Sequence, residues 1–148
     1  MKSRIIDIRG ADSALHATIT EWWKAHDWPG VAQVILPKCG VMVEDDAGSG
    51  MAVGWLYMDN STGVAMLEWV VTNPTLTPKQ SYYAITMLVQ SVREVARALN
   101  YGVVLTTAKQ HALARCYEKN GFKQTDTGMT HLIMFTMPKS DPVTKENA

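Results

Sequence analysis

The sequence predicts a mixed α/β domain: a mostly antiparallel sheet of six to seven strands, flanked by about four helices. Three observations carry this. Short apolar runs recur between clusters of turn residues. The stretch ending at Asn100 repeats apolar residues at three- and four-residue steps, the mark of a one-faced helix. That helix lies between two strand-like runs, so its strands join by a right-handed parallel crossover.

In chain order, Arg4 to Arg9 reads as a first strand ended by Gly10. Ala11-Asp12-Ser13 offers helix caps, and Leu15, Ile19, Trp22 and Trp23 follow at helical spacing to about His26. Trp28-Pro29-Gly30 stops that helix, and Val31 to Leu36 fits either a second short helix or an extended piece. Lys38 to Glu44 reads as a strand, followed by a polar turn through Gly50. Met51 to Met58 is a buried strand, Asp59 to Gly63 a hairpin turn, and Val64 to Thr72 the next strand. Pro74 and Pro78 punctuate a loop. The long helix then carries Ile85, Leu88, Val89, Val92, Val95, Ala96 and Leu99 on one stripe, and Asn100-Tyr101-Gly102 ends it. Val103 to Thr106 is a short strand and Lys109 to Lys119 a helix stopped by Asn120-Gly121. Phe122 to Thr125 and Met129 to Thr136 read as a closing strand pair. Residues 1–137 form a single domain in this reading, and 138–148 a flexible polar tail.

Size and charge bound the function. A chain of 148 residues buries about two-thirds of its extended surface by the usual area scaling. A core can therefore form without metal or disulfide staples. Fourteen Lys and Arg balance fourteen Asp and Glu. A net charge of zero argues against non-specific nucleic-acid binding, which needs a basic surplus. Two cysteines, Cys39 and Cys116, cannot make a disulfide framework. With no apolar leader and no run long enough to span a membrane, they read as reduced thiols of a cytoplasmic protein. The charge is polarised: Met1 to Pro74 has five basic and nine acidic residues, and Thr75 to Ala148 nine and five. A polyanionic small ligand held by the second half fits this, as do plain solvated helix faces.

The element order, together with Ala114-Arg115-Cys116-Tyr117-Glu118-Lys119-Asn120-Gly121-Phe122, resembles the GNAT family of N-acetyltransferases. That family often shows Ala, then Tyr-Glu-Lys, one further residue, and Gly-Phe at this place. The resemblance spans nearly the whole chain in element order and about the last half in motif. It implies acetyl-CoA as cosubstrate, an amine acceptor, and direct transfer. Pantetheine would lie where the fourth and fifth strands part, paired with backbone from about Trp69 through Val70, Val71 and Thr72. The pyrophosphate would sit on amides opening the long helix, where N–H groups and the helix dipole favour an anion. The family's phosphate loop, Gln/Arg-x-x-Gly-x-Gly/Ala, is matched best by Lys79-Gln80-Ser81-Tyr82-Tyr83-Ala84. Tyr82 replaces the first glycine, which matters because phosphate and backbone must approach closely. Gln110 falls where many members carry an Asn that contacts the cofactor.

The same stretch has a purely structural reading. Thr77-Pro78-Lys79-Gln80 fits a capping box with Thr at N-cap, Pro at N1 and Gln at N3. The helix would then begin four residues earlier and cap its own amides. The sequence leaves both starts open.

Two side chains carry the expected chemistry. Glu68, between Leu67 and Trp69, is the candidate base, since partial burial raises a carboxylate toward the working range. Its alternative is an outward-facing strand Glu. Tyr117 is the candidate acid for the departing CoA thiolate, because the family often uses a Tyr there. Its alternative is packing against the sheet. His16, His26, His111 and His131 have no metal-ligand spacing with the cysteines, so no metal is expected. His111 is a second candidate base. Trp22, Trp23 and Trp28 are candidates for an acceptor pocket, for core packing or for a homodimer surface. The rival readings are a non-catalytic interaction protein on this fold and a CoA-binding regulator. The acceptor itself carries no motif.

Overall fold

The structure, a computed structural model, describes residues 1–137; the expected tail, 138–148, lies outside them. The elements run β1 (Lys2–Ile6), α1 (Leu15–Ala25), a 3-10 turn (Gln33–Ile35), β2 (Gly40–Glu44), β3 (Gly50–Met58), β4 (Val64–Thr72), α2 (Pro78–Ala98), β5 (Val103–Thr106) and α3 (His111–Lys119). The sheet order is β1-β2-β3-β4-β5. The first four strands pair antiparallel, and β5 joins β4 in parallel. Tight turns link β2 to β3 and β3 to β4, and α2 makes the crossover that a parallel pair requires.

Alternation of side chains splits the core into two layers. Ala52, Leu56 and Leu67 pack with Leu88, Val89 and Val92 of α2 on one face. Val53, Trp55 and Val71 pack with Ile19, Trp22 and Trp23 of α1 on the other. Leu67 and Val71 are both odd-numbered, yet lie on opposite faces. The register explains this: Trp55 pairs with Glu68 and Val53 with Val71, so β4 carries one extra residue between them. Such a bulge reverses the facing of everything beyond it.

Among the described residues the sheet has five strands, not six or seven, and there are three α-helices, with the ambiguous segment after Gly30 contributing one 3-10 turn. The expected closing pair, Phe122 to Thr125 and Met129 to Thr136, forms no strand among the described residues. A strand exists only when its backbone groups find a partner, and among the described residues none pairs with the outer edge of β5. Apolar side chains of that segment stay in water: Leu132 is 91% exposed and Met134 83%. Trp22 and Trp23 are core residues and not a dimer surface. Arg4 donates to the largely buried Glu44 at 2.8 Å, and Asp45 accepts from the amides of Ala47 and Ser49 to close the β2–β3 turn.

Candidate functional site

The candidate site starts where β4 and β5 part. Their pairing runs from Val64 with Val103 to Leu67 with Thr106. There β5 ends, while β4 continues five residues to Thr72. The backbone from Glu68 to Thr72, including Val70, Val71 and Thr72, therefore has no strand on its β5 side among the described residues. The sequence-level expectation of a fork between these strands is met by this geometry.

Glu68 stands at the fork. It is half-buried, and its Oε2 accepts from the Thr107 hydroxyl at 3.4 Å. Burial raises its pKa, while the charge of His131 and the Thr107 hydroxyl pull it down. Burial wins because the charged form loses water faster than these neighbours replace it.

The next residue, Trp69, has φ of 62°. A bulky side chain rarely occupies the left-handed region, and the strain costs about 1–3 kcal/mol. Hydrogen bonds hold it there. The Trp69 indole N–H donates to the Tyr57 hydroxyl at 2.8 Å, and that hydroxyl donates to the Ile35 carbonyl at 2.7 Å. The Trp23 indole donates to the Trp69 carbonyl at 3.4 Å. Sequence reading missed this lock. An apolar strand run ending in Trp gives no sign of positive φ, and the only hint was a hydroxyl-bearing Tyr57 in an otherwise apolar strand.

Tyr117 enters from α3. Leu113, Cys116 and Tyr117 make the apolar face of that helix, and Phe122 packs on the Tyr117 ring with centroids 5.2 Å apart. The Tyr117 hydroxyl is buried and has no hydrogen-bond partner among the described residues. Burial pushes its pKa far up, with the Thr106 hydroxyl opposing and the charges of Glu68 and Cys116 adding to the rise. Thr106 itself donates to the Leu67 carbonyl at 2.8 Å, at the last rung before the fork. An orphaned buried hydroxyl costs about 1–3 kcal/mol, so a partner brought by a ligand would be gained there. Glu68 and Tyr117 thus approach the same fork from two elements.

The start of α2 follows the capping-box reading of this stretch. α2 begins at Pro78 with Thr77 as N-cap. Gln80 N–H donates to Thr77 Oγ1 at 3.2 Å, and Thr77 N–H donates to Gln80 Oε1 at 2.8 Å. Ser81 N–H already bonds the Thr77 carbonyl at 2.9 Å. Ser81, Tyr82, Tyr83 and Ala84 therefore lie inside the helix, with their amides in its ladder. Ala84 is fully buried under the sheet, whereas Lys79, Gln80, Tyr82 and Tyr83 are exposed. Proline contributes no N–H, which leaves the Lys79 amide as the one of this turn without an intrahelical or capping partner. The expected amide cradle over Lys79 to Ala84 is replaced by the capping box. Tyr82 instead meets α3: its carbonyl lies 4.0 Å from Cys116 Sγ, and Lys119 Nζ sits 5.6 Å from its ring centroid.

Gln110 is the N-cap of α3 and is exposed, with no side-chain cap bond. His111 opens the same helix and is exposed too. Cys39 and Cys116 are both buried with raised pKa values, burial being the first cause in each, so neither is an activated thiol. Among the described residues, no group of three or more His, Cys, Asp or Glu is placed to hold a metal ion. Among them, too, no helix is long and apolar enough to cross a membrane.

Solved structures resemble this arrangement over nearly its full length. A protein described as a "probable acetyltransferase" superposes with a TM-score of 0.68 at 15% identity, covering 95% of this chain and 99% of its own. The chain has a GNAT-type fold. A point mutant of a Thermus thermophilus protein gives a TM-score of 0.67 at 11% identity, covering 93% and 100%. A Trypanosoma brucei acetyltransferase gives 0.55 at 16%, covering 89% and 99%. No protein-family model matches the sequence, and no curated protein does. At such identities the GNAT likeness establishes the fold alone.

Proposed function

We propose that this GNAT-fold chain is an acetyl-CoA-dependent N-acetyltransferase acting on an amine. One observation carries the reading: the β4–β5 fork, with half-buried Glu68 at its mouth and the unpartnered Tyr117 hydroxyl beneath it. Pantetheine would pair with the free backbone of Val70, Val71 and Thr72. Glu68 takes a proton from the bound ammonium. The freed amine forms a C–N bond to the acetyl carbon, and the C–S bond breaks. Tyr117 donates a hydrogen bond to the departing sulfur. It keeps its own proton, because a phenol raised this far is a weaker acid than a thiol. The nitrogen loses its second proton to solvent as the amide forms, the thiolate takes one up from solvent, and Glu68 releases its own, so one proton is freed overall. Lys79 and its free amide would meet the pyrophosphate as a point contact rather than a cradle. The two buried, unpaired cysteines support a reducing compartment such as the cytoplasm.

The test is calorimetric titration with acetyl-CoA, followed by thiol release in the presence of amines. Glu68→Gln should keep binding and lose roughly 10²–10⁴-fold in turnover, the range for a general base. The capping box favours a second reading, a GNAT-fold protein without catalysis, since it uses amides that a pyrophosphate would need. Absence of binding at millimolar acetyl-CoA would establish that reading and overturn the first.

A further inference from the structure

The face of the sheet that bears Glu68 is left uncovered beside it. Trp55 pairs with Glu68 and Tyr57 with Met66, so Met66 and Glu68 share a face, two residues and about 7 Å apart along β4. Val64 and Met66 pair in turn with Val103 and Leu105 of β5, which continue that face. A groove of about 430 Å³ runs here between Tyr57, Met58, Val64 and Met66. That volume lies in the range of small-molecule sites. Met66 is 43% exposed and Leu105 50%, although both are apolar.

The Tyr57 hydroxyl is engaged by Trp69 and Ile35, so Tyr57 offers a ring wall and not a free donor. One Asp59 carboxylate oxygen accepts from the Ser61 amide at 2.6 Å, the Ser61 hydroxyl at 2.7 Å and the Thr62 amide at 2.8 Å. It closes the β3–β4 turn. Among the described residues, no Lys, Arg or His lines the groove to pair an acidic substrate. Asp59 lines the groove at its turn end with its second carboxylate oxygen uncommitted, and Glu68 lies on the same sheet face two residues beyond Met66, outside the groove's lining.

We propose that this groove seats the acceptor, and that the acceptor is an amine carried on an apolar chain or ring. The ammonium meets Glu68, and the apolar body lies over Met66, Val64 and Leu105. Thioethers suit this task, because Met side chains adapt to varied apolar shapes. Among the described residues of the groove, an amino acid would find no cation for its carboxylate. The inference rests on the acetyltransferase reading for its chemistry, but its binding claim stands on the groove.

The test uses the full chain with ethylamine, propylamine, butylamine and hexylamine. Thiol release from acetyl-CoA gives kcat/KM, and calorimetry without acetyl-CoA gives amine affinity. Each added methylene should raise kcat/KM about fourfold, as burial of a CH₂ predicts. Met66→Gln and Leu105→Gln should each flatten the series, and both sites are exposed enough for the variants to fold. Turnover with no dependence on chain length overturns the groove and leaves the acetyltransferase reading standing. Length-dependent binding without turnover, lost in Met66→Gln, upholds the groove and overturns the catalysis. If neither appears, both fail, as they would if the chain's own apolar stretch after Met129 covered the groove.

Discussion

The Trp69 indole N–H donates to the Tyr57 hydroxyl at 2.8 Å, and this contact pins a left-handed tryptophan beside the candidate base. Bulge, base and groove meet at this pair. Without the bulge, Val70 and Val71 would exchange faces, and the two core layers could not both close.

Tyr57→Phe removes the acceptor for Trp69 and the donor to Ile35 together. We expect a loss of about 1–3 kcal/mol, because a buried N–H and carbonyl are left unpaired. Chemical denaturation checks this, and a midpoint unchanged from wild type would show that the bulge holds without Tyr57.

Gly54 lies opposite the bulge, where a Cβ would come within 2.9 Å of Leu67 Cδ1 and Val70 Cγ2. Gly54→Ala should destabilise the fold by about 1–3 kcal/mol through overpacking. Thermal unfolding reads this directly. An alanine tolerated without cost would mean that the α2 layer shifts to make room.

Thr77→Ala should cost about 1 kcal/mol, the usual worth of an N-cap side chain. Gln80→Ala should add less than its single effect when combined with it, because the two bonds of the capping box support each other. A double-mutant cycle in urea measures that coupling. Full additivity would mean that the two bonds act independently.

Glu68 gives opposite signs for stability and activity. Burial raises its folded pKa above the unfolded value, so the folded state holds its proton longer. Between those two pKa values stability falls as pH rises, and above the folded value the whole penalty applies. Glu68→Gln should therefore raise the melting temperature at neutral pH and change it little near pH 4, at about the unfolded carboxylate value. Transfer by the parent should rise with pH as Glu68 loses its proton. A variant stabilised equally at both pH values would detach the effect from titration.

Much of this was legible in residues alone. β4 and β5 have the bounds that their apolar runs and flanking turns imply, because local pattern decides where a buried strand begins and ends. Thr77-Pro78-Lys79-Gln80 announced the capping box through residue types at fixed offsets, a purely local geometry. The fork was what the family resemblance implied, and the unequal lengths of β4 and β5 set its extent. Tertiary structure decided the rest. Phe122 to Thr136 has a strand-like composition, but pairing is a property of two segments, and among the described residues no second segment meets it. Trp69's positive φ is strain held by Tyr57 and Trp23, residues 12 and 46 positions away. No local pattern encodes it, because the contacts that offset the strain form only once β3, β4 and α1 have packed together.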